Sequence, residues 1–117
     1  MSTQAFHDTV LTPASVMVSK ASDVLGVELA MSALGVADRR TLMRWRSGAP
    51  IRAVRARMRL QAVFLIISEL EQSLTPVQIP AWFTTPNPAF GYRTALDMLI
   101  EESLDTVVPT ILETASR

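Results

Sequence analysis

The sequence predicts an all-α fold, with a helix-turn-helix-like N-terminal module over residues 12–74 and a small helical C-terminal domain over residues 75–117. Apolar residues recur at three- and four-residue spacing in most segments. Glycines and prolines fall where helices start and stop, and no alternation of apolar and polar residues runs long enough for a sheet strand.

Residues 1–11 show no periodicity and read as an arm that carries the single histidine, His7. Thr12-Pro13 reads as a helix start, with Thr12 as cap and Pro13 in the first turn, where its missing N–H costs nothing. Met17, Ala21, Val24 and Leu25 give this helix an apolar face, and Gly26 ends it. Val27, Ala30, Met31 and Leu34 form a second short helix, stopped by Gly35. Asp38 has the short acceptor side chain of an N-cap; Leu42, Met43 and Trp45 supply the apolar side of a third helix, which Ser47-Gly48 closes.

A long helix is expected from about Ile51 to Leu74, with Arg52, Arg55 and Arg59 on one face and Val54, Met58, Ala62 and Leu65 on another. Its run Ala62 to Ile67 is apolar all round and must be wrapped by its own chain or by another subunit. Pro76, Pro80, Pro86 and Pro88 forbid a continuous helix between Thr75 and Phe90, which reads as a connector with embedded aromatics. Thr94 and Asp97 have capping-box spacing for a helix to Ile100, and a last helix spans Ser103 to Glu113, kinked or delayed by Pro109.

Composition narrows the function classes. At 49% hydrophobic and 19% charged, the 117-residue chain has more apolar surface than a small monomer needs, so a partner is expected. The absence of cysteine rules out disulfides and thiolate metal sites; with no signal-peptide pattern at the start, the cytoplasm is the expected location. The longest apolar run is far shorter than the roughly 20 residues of a membrane span.

The zero net charge hides a segregation. Residues 39–59 hold eight arginines and no acid, whereas from Leu60 onward seven acids face two arginines, a balance of −5. A basic surface for an anion such as DNA and an acidic surface for a different partner follow. Val27 to Trp45 has the layout of a helix-turn-helix, with small Ala30 at the crossing, Gly35 at the turn and Val36 after it. In that layout Arg39, Arg40, Thr41, Arg44 and Arg46 would contact bases or phosphates, and Arg52, Arg55 and Arg59 would hold flanking backbone. The alternative is a solvated arginine face on a pair of helices that only packs. Trp45, on the side of Leu42, reads as core.

The stretch Ile79 to Leu99 holds a Trp, then Pro86-Asn87-Pro88, an aromatic, Gly91, Arg93 and a helix with paired leucines, Leu96 and Leu99. In order and spacing it resembles the toxin-binding domain of the Xre/MbcA/ParS antitoxins, and Gly35 to Gly48, with Arg44-Trp45-Arg46-Ser47-Gly48, looks like their N-terminal half. The chain departs from the pattern at Tyr92, where a second Gly is usual, at Thr94-Ala95, where Pro is common, and near Glu102-Ser103, where a Gly is often found.

The resemblance implies a type II antitoxin that occludes the active site of a RES-domain, NAD-degrading toxin, forms a homodimer or a higher assembly with it, and autoregulates through operator DNA. The residues expected at the toxin are Trp82, Phe83, Asn87, Pro88, Phe90, Gly91, Tyr92, Arg93, Leu96, Leu99, Val108, Leu112 and Arg117. Trp82 and Phe90 read equally well as caps of the core, with Pro-Asn-Pro as a rigid turn. The competing class is a stand-alone helix-turn-helix regulator whose C-terminal domain only dimerises. Catalysis is not expected: His7 lacks a second ligand or nucleophile nearby, Glu101 and Glu102 point about 100° apart on a helix, and neither a phosphate loop nor metal-ligand spacing occurs. No cofactor is expected.

Overall fold

A computed structural model describes residues 12–117; the N-terminal arm and His7 lie outside the described residues. The described part is built from helices α1 (Ala14–Leu25), α2 (Val27–Leu34), α3 (Arg39–Arg46), α4 (Val54–Leu70), α5 (Gln78–Thr84), α6 (Ala95–Glu101) and α7 (Leu104–Ala115), with a 3-10 turn at Pro88–Phe90. The predicted all-α class is what is found. Among the described residues no helix is long and apolar enough to cross a membrane.

Local chemistry sets most boundaries. Pro13 is the cap of α1 rather than its first residue, and its carbonyl accepts from the N–H groups of Val16 and Met17 at 3.1 and 3.2 Å. Thr12 therefore lies one position too early to cap the helix. Gly35 takes the left-handed conformation after α2, with φ 72°, so that the chain turns within three residues into the Asp38 cap of α3. The Asp38 carboxylate accepts from the Thr41 N–H at 2.8 Å.

The long helix is shorter than expected at both ends. Ile51 is drawn into the core ahead of it, and the Arg57 guanidinium donates to the Ile51 and Arg52 carbonyls at 2.7 and 3.1 Å, fixing this approach as extended chain. At the far end the backbone closes into turns through Leu74, just before Pro76.

The proline-rich connector contains a helix that periodicity does not reveal. Pro80 is the third residue of α5, where a missing N–H breaks no intrahelical bond, so the ring is tolerated and Ile79 and Phe83 reach the core. Pro109 does sit inside α7, on its exposed side, where water can take the Asp105 carbonyl that the ring leaves without a donor.

Helix α4 is the centre of the packing, with α1 and α2 against it on one side and α7 on another. Leu60, Val63, Ile66, Ile67 and Leu70 are almost completely enclosed, and the wrapping comes from the same chain. Helix α5 also touches α1, and α6 touches α2, so Ile79, Phe83, Leu99 and Ile111 join Val18, Leu34 and Leu42 in one continuous core.

The N-terminal half of α4 is rotated relative to expectation. Arg59 is buried, whereas Val54 and Met58 are exposed. Arg59 shares its stripe with Val63, Ile66 and Leu70, whose burial fixes the rotation of the whole helix, and the arginine is carried inward with them.

Candidate functional site

The C-terminal constellation is assembled from α5, the turn after it and the start of α6. The Thr84 and Thr85 hydroxyls donate to carbonyls of α5, at 3.1 Å to Pro80 and 2.6 Å to Ala81, and the helix ends there. Pro86-Asn87-Pro88 then reverses the chain. The Asn87 side chain accepts from the Ala89 N–H at 2.9 Å and starts the 3-10 turn. The Asn87 N–H donates to the Arg93 carbonyl at 3.0 Å, while the Asn87 carbonyl accepts from the Phe90 and Tyr92 N–H groups, both at 2.9 Å. Closing so short a bridge takes two consecutive left-handed residues, Gly91 at φ 65° and Tyr92 at φ 64°.

Trp82 braces this turn. Its ring meets Phe83 edge-on at 5.7 Å and Phe90 edge-on at 6.2 Å. The Arg93 guanidinium forks onto the end of α6, donating to Glu102 at 2.9 Å and to Glu101. The hydrogen bond to Glu102, then that to Glu101, holds the Arg93 pKa above its ordinary value. Thr94 and Asp97 form the expected capping box, with the Asp97 N–H donating to the Thr94 hydroxyl at 2.9 Å and the Thr94 N–H to the Asp97 carboxylate at 3.3 Å.

The expected contact residues divide into layers. Phe83 and Leu99 are enclosed by their own chain, and Phe90 and Leu112 nearly so; they support the face from beneath instead of presenting it. Trp82, Asn87, Arg93, Leu96 and Val108 are half-buried. Pro88, Gly91 and Tyr92 are exposed, and Tyr92 leaves 72% of its surface open. Arg117 is exposed at the end of α7, paired with Glu113 at 3.3 Å.

Sequence reasoning missed a groove between α4 and α7. Val54, Met58 and Leu104 form its apolar floor, Arg55 stands on one side, and Glu101, Glu102 and Asp105 on the other, enclosing about 550 Å³. It continues along Leu65 and Val108. The signal is the apolar stripe Val54-Met58-Ala62-Leu65, which periodicity places on a face apart from Arg52, Arg55 and Arg59 without saying what covers it.

The arginine-rich segment is also differentiated. Arg39 pairs with Glu28 at 3.1 Å and Arg46 with Asp23 at 2.8 Å. Thr41 is engaged by Asp38 through both its N–H and its hydroxyl. Arg40, Arg44, Arg52 and Arg55 are exposed and have no ion-pair partner among the described residues. Arg40 and Arg44 flank a shallow depression with Met43, Ser47 and Ala49. Trp45 is half-buried against the core, as its position beside Leu42 implies. Among the described residues no group of three or more His, Asp or Glu side chains is placed to hold a metal ion.

Fold and site together define a small helical protein with a braced aromatic turn. Residues 76–109, from just before α5 into α7, match the family described as the antitoxin Xre/MbcA/ParS C-terminal toxin-binding domain. No curated protein and no solved structure matches the chain.

Proposed function

We propose that the chain is a non-catalytic, cytoplasmic type II antitoxin that neutralises a RES-domain, NAD-degrading toxin by occluding its active site. The match of residues 76–109 to a toxin-binding domain carries this reading. The geometry supports it: a rigid turn holds Tyr92 outward, and aromatic side chains fixed by their own scaffold lose little entropy on docking. A cleft that accepts an anionic dinucleotide is basic, and the acids of α6 and α7 complement it. The exposure of Arg117 and its partner Glu113 at the end of α7 supports their assignment to the contact.

Operator binding by a homodimer, with autoregulation, completes the proposal. Arg40, Arg44, Arg52 and Arg55, exposed and without an ion-pair partner among the described residues, favour it, since such arginines are available to phosphates and guanine edges. The same observation favours the competing reading, a stand-alone regulator.

Co-expression with the product of the adjacent gene tests both. The antitoxin reading expects a stable complex and restored cellular NAD, with Arg40→Ala plus Arg44→Ala abolishing DNA retardation but leaving neutralisation intact. Recovery of no complex, with DNA binding retained, would support the regulator instead.

A further inference from the structure

Arg59 is the chain's unexplained charge. It is only 8% exposed, and its Nε–H is shut off from solvent without an acceptor. No carboxylate pairs with it among the described residues. Another cation bears on it: burial first, and then Arg55 one helical turn away, push the Arg59 pKa below its ordinary value. A buried guanidinium N–H without an acceptor is costly, and two cations in succession add repulsion.

The surroundings are shaped around this group. A cavity of about 210 Å³ is lined by Leu34, Gly35, Arg55, Ala56 and Arg59. Gly35 is required there by its φ of 72°, and its missing Cβ leaves room for the Arg59 Nη1, which would lie 2.6 Å from a Cβ and have to shift. With a water occupying about 30 Å³ in the liquid, the space suffices for a tetrahedral oxyanion and ordered waters. Small Ala56 on the wall keeps it open.

We propose that Arg59 and Arg55, beside the Gly35 turn, form a binding site for a phosphate group. The anion neutralises the buried guanidinium and lies between the two cations, which makes charge-assisted hydrogen bonds stronger than they are in water. The turn that carries Gly35 joins α2 to α3, so a DNA backbone phosphate and free inorganic phosphate are the two sources of this chemistry. Only the first source rests on the DNA-binding part of the proposed function.

The test uses the ¹⁵N-labelled full chain, titrated with inorganic phosphate against chloride at constant ionic strength. The Arg59 Nε–H resonance should move saturably and Tm should rise by several degrees. Arg59→Met should abolish the Tm response while folding at least as well in chloride, and Arg55→Gln should weaken phosphate binding severalfold. An unmoved Arg59 resonance, or an equal Tm rise in Arg59→Met, would overturn the site. A duplex carrying the upstream sequence identifies the source. If it moves the same resonance, and Arg59→Met lowers the slope of log affinity against log salt by about 1, the phosphate belongs to DNA. If free phosphate saturates the site while the duplex fails to bind, the site stands and the DNA reading falls. If the duplex binds with Arg59 silent to both probes, the DNA reading stands and the site falls.

Discussion

Asn87 and Arg93 face each other across an isolated antiparallel bridge, and the residue that completes the turn between them, Tyr92, is the one non-glycine residue at positive φ among the described residues. The backbone energy stored there is about 1 kcal/mol, since an L side chain in the left-handed region crowds its own carbonyl. A strained tyrosine that leaves most of its ring open does not repay that energy within its own chain.

Tyr92→Gly should therefore raise stability, by about 0.5–1 kcal/mol in urea unfolding, while lowering toxin affinity by roughly tenfold. Opposite signs in the two measurements mark a residue kept for a partner. A loss of stability would assign the ring to the fold.

Thr94→Ala should cost about 1 kcal/mol, read as a lower urea midpoint at unchanged m, because the Asp97 N–H loses its acceptor at the start of α6. Thr94→Ser should restore most of it. An unchanged midpoint in the alanine variant would mean that packing alone fixes this helix.

The cap of α3 carries a pH dependence. Hydrogen bonds from Thr41, first its N–H and then its hydroxyl, hold the Asp38 carboxyl below the usual carboxylate range. Its contribution is complete above about pH 4, the unfolded value, and is lost as pH falls through the lower folded value. In Asp38→Asn, which keeps an acceptor at the cap, the fall in Tm between pH 5 and pH 2 should be smaller than in the parent. Identical acid profiles would remove Asp38 from the account.

Phe83→Ala should cost about 3–5 kcal/mol and abolish toxin binding by unfolding the chain, because the ring is wholly enclosed by its own chain. A folded Phe83→Ala protein with intact stability would contradict the layering of the site.

Much of this architecture was legible in the sequence, where a single residue type dictates geometry. Gly26, Gly35, the Asp38 cap and the Thr94–Asp97 box each place a helix end through local backbone chemistry. Helix α5 was not legible, because four prolines read as breaks and only the position of Pro80 within the first turn makes it harmless. The rotation of α4 was hidden for a different reason. Charge was taken to mark the solvent side, yet the apolar stripe through Val63, Ile66 and Leu70 has the larger burial energy and takes Arg59 inward. The left-handed Tyr92 was visible only as a departure from a glycine pattern; its cost emerged with the backbone.

Hydrogen exchange on the purified toxin complex measures the central claim most directly. Protection should concentrate in residues 87–93 and the end of α7, with the Arg40 and Arg44 segment unchanged. Protection confined to residues 39–59, with the Tyr92 turn exchanging as in the free chain, would contradict it.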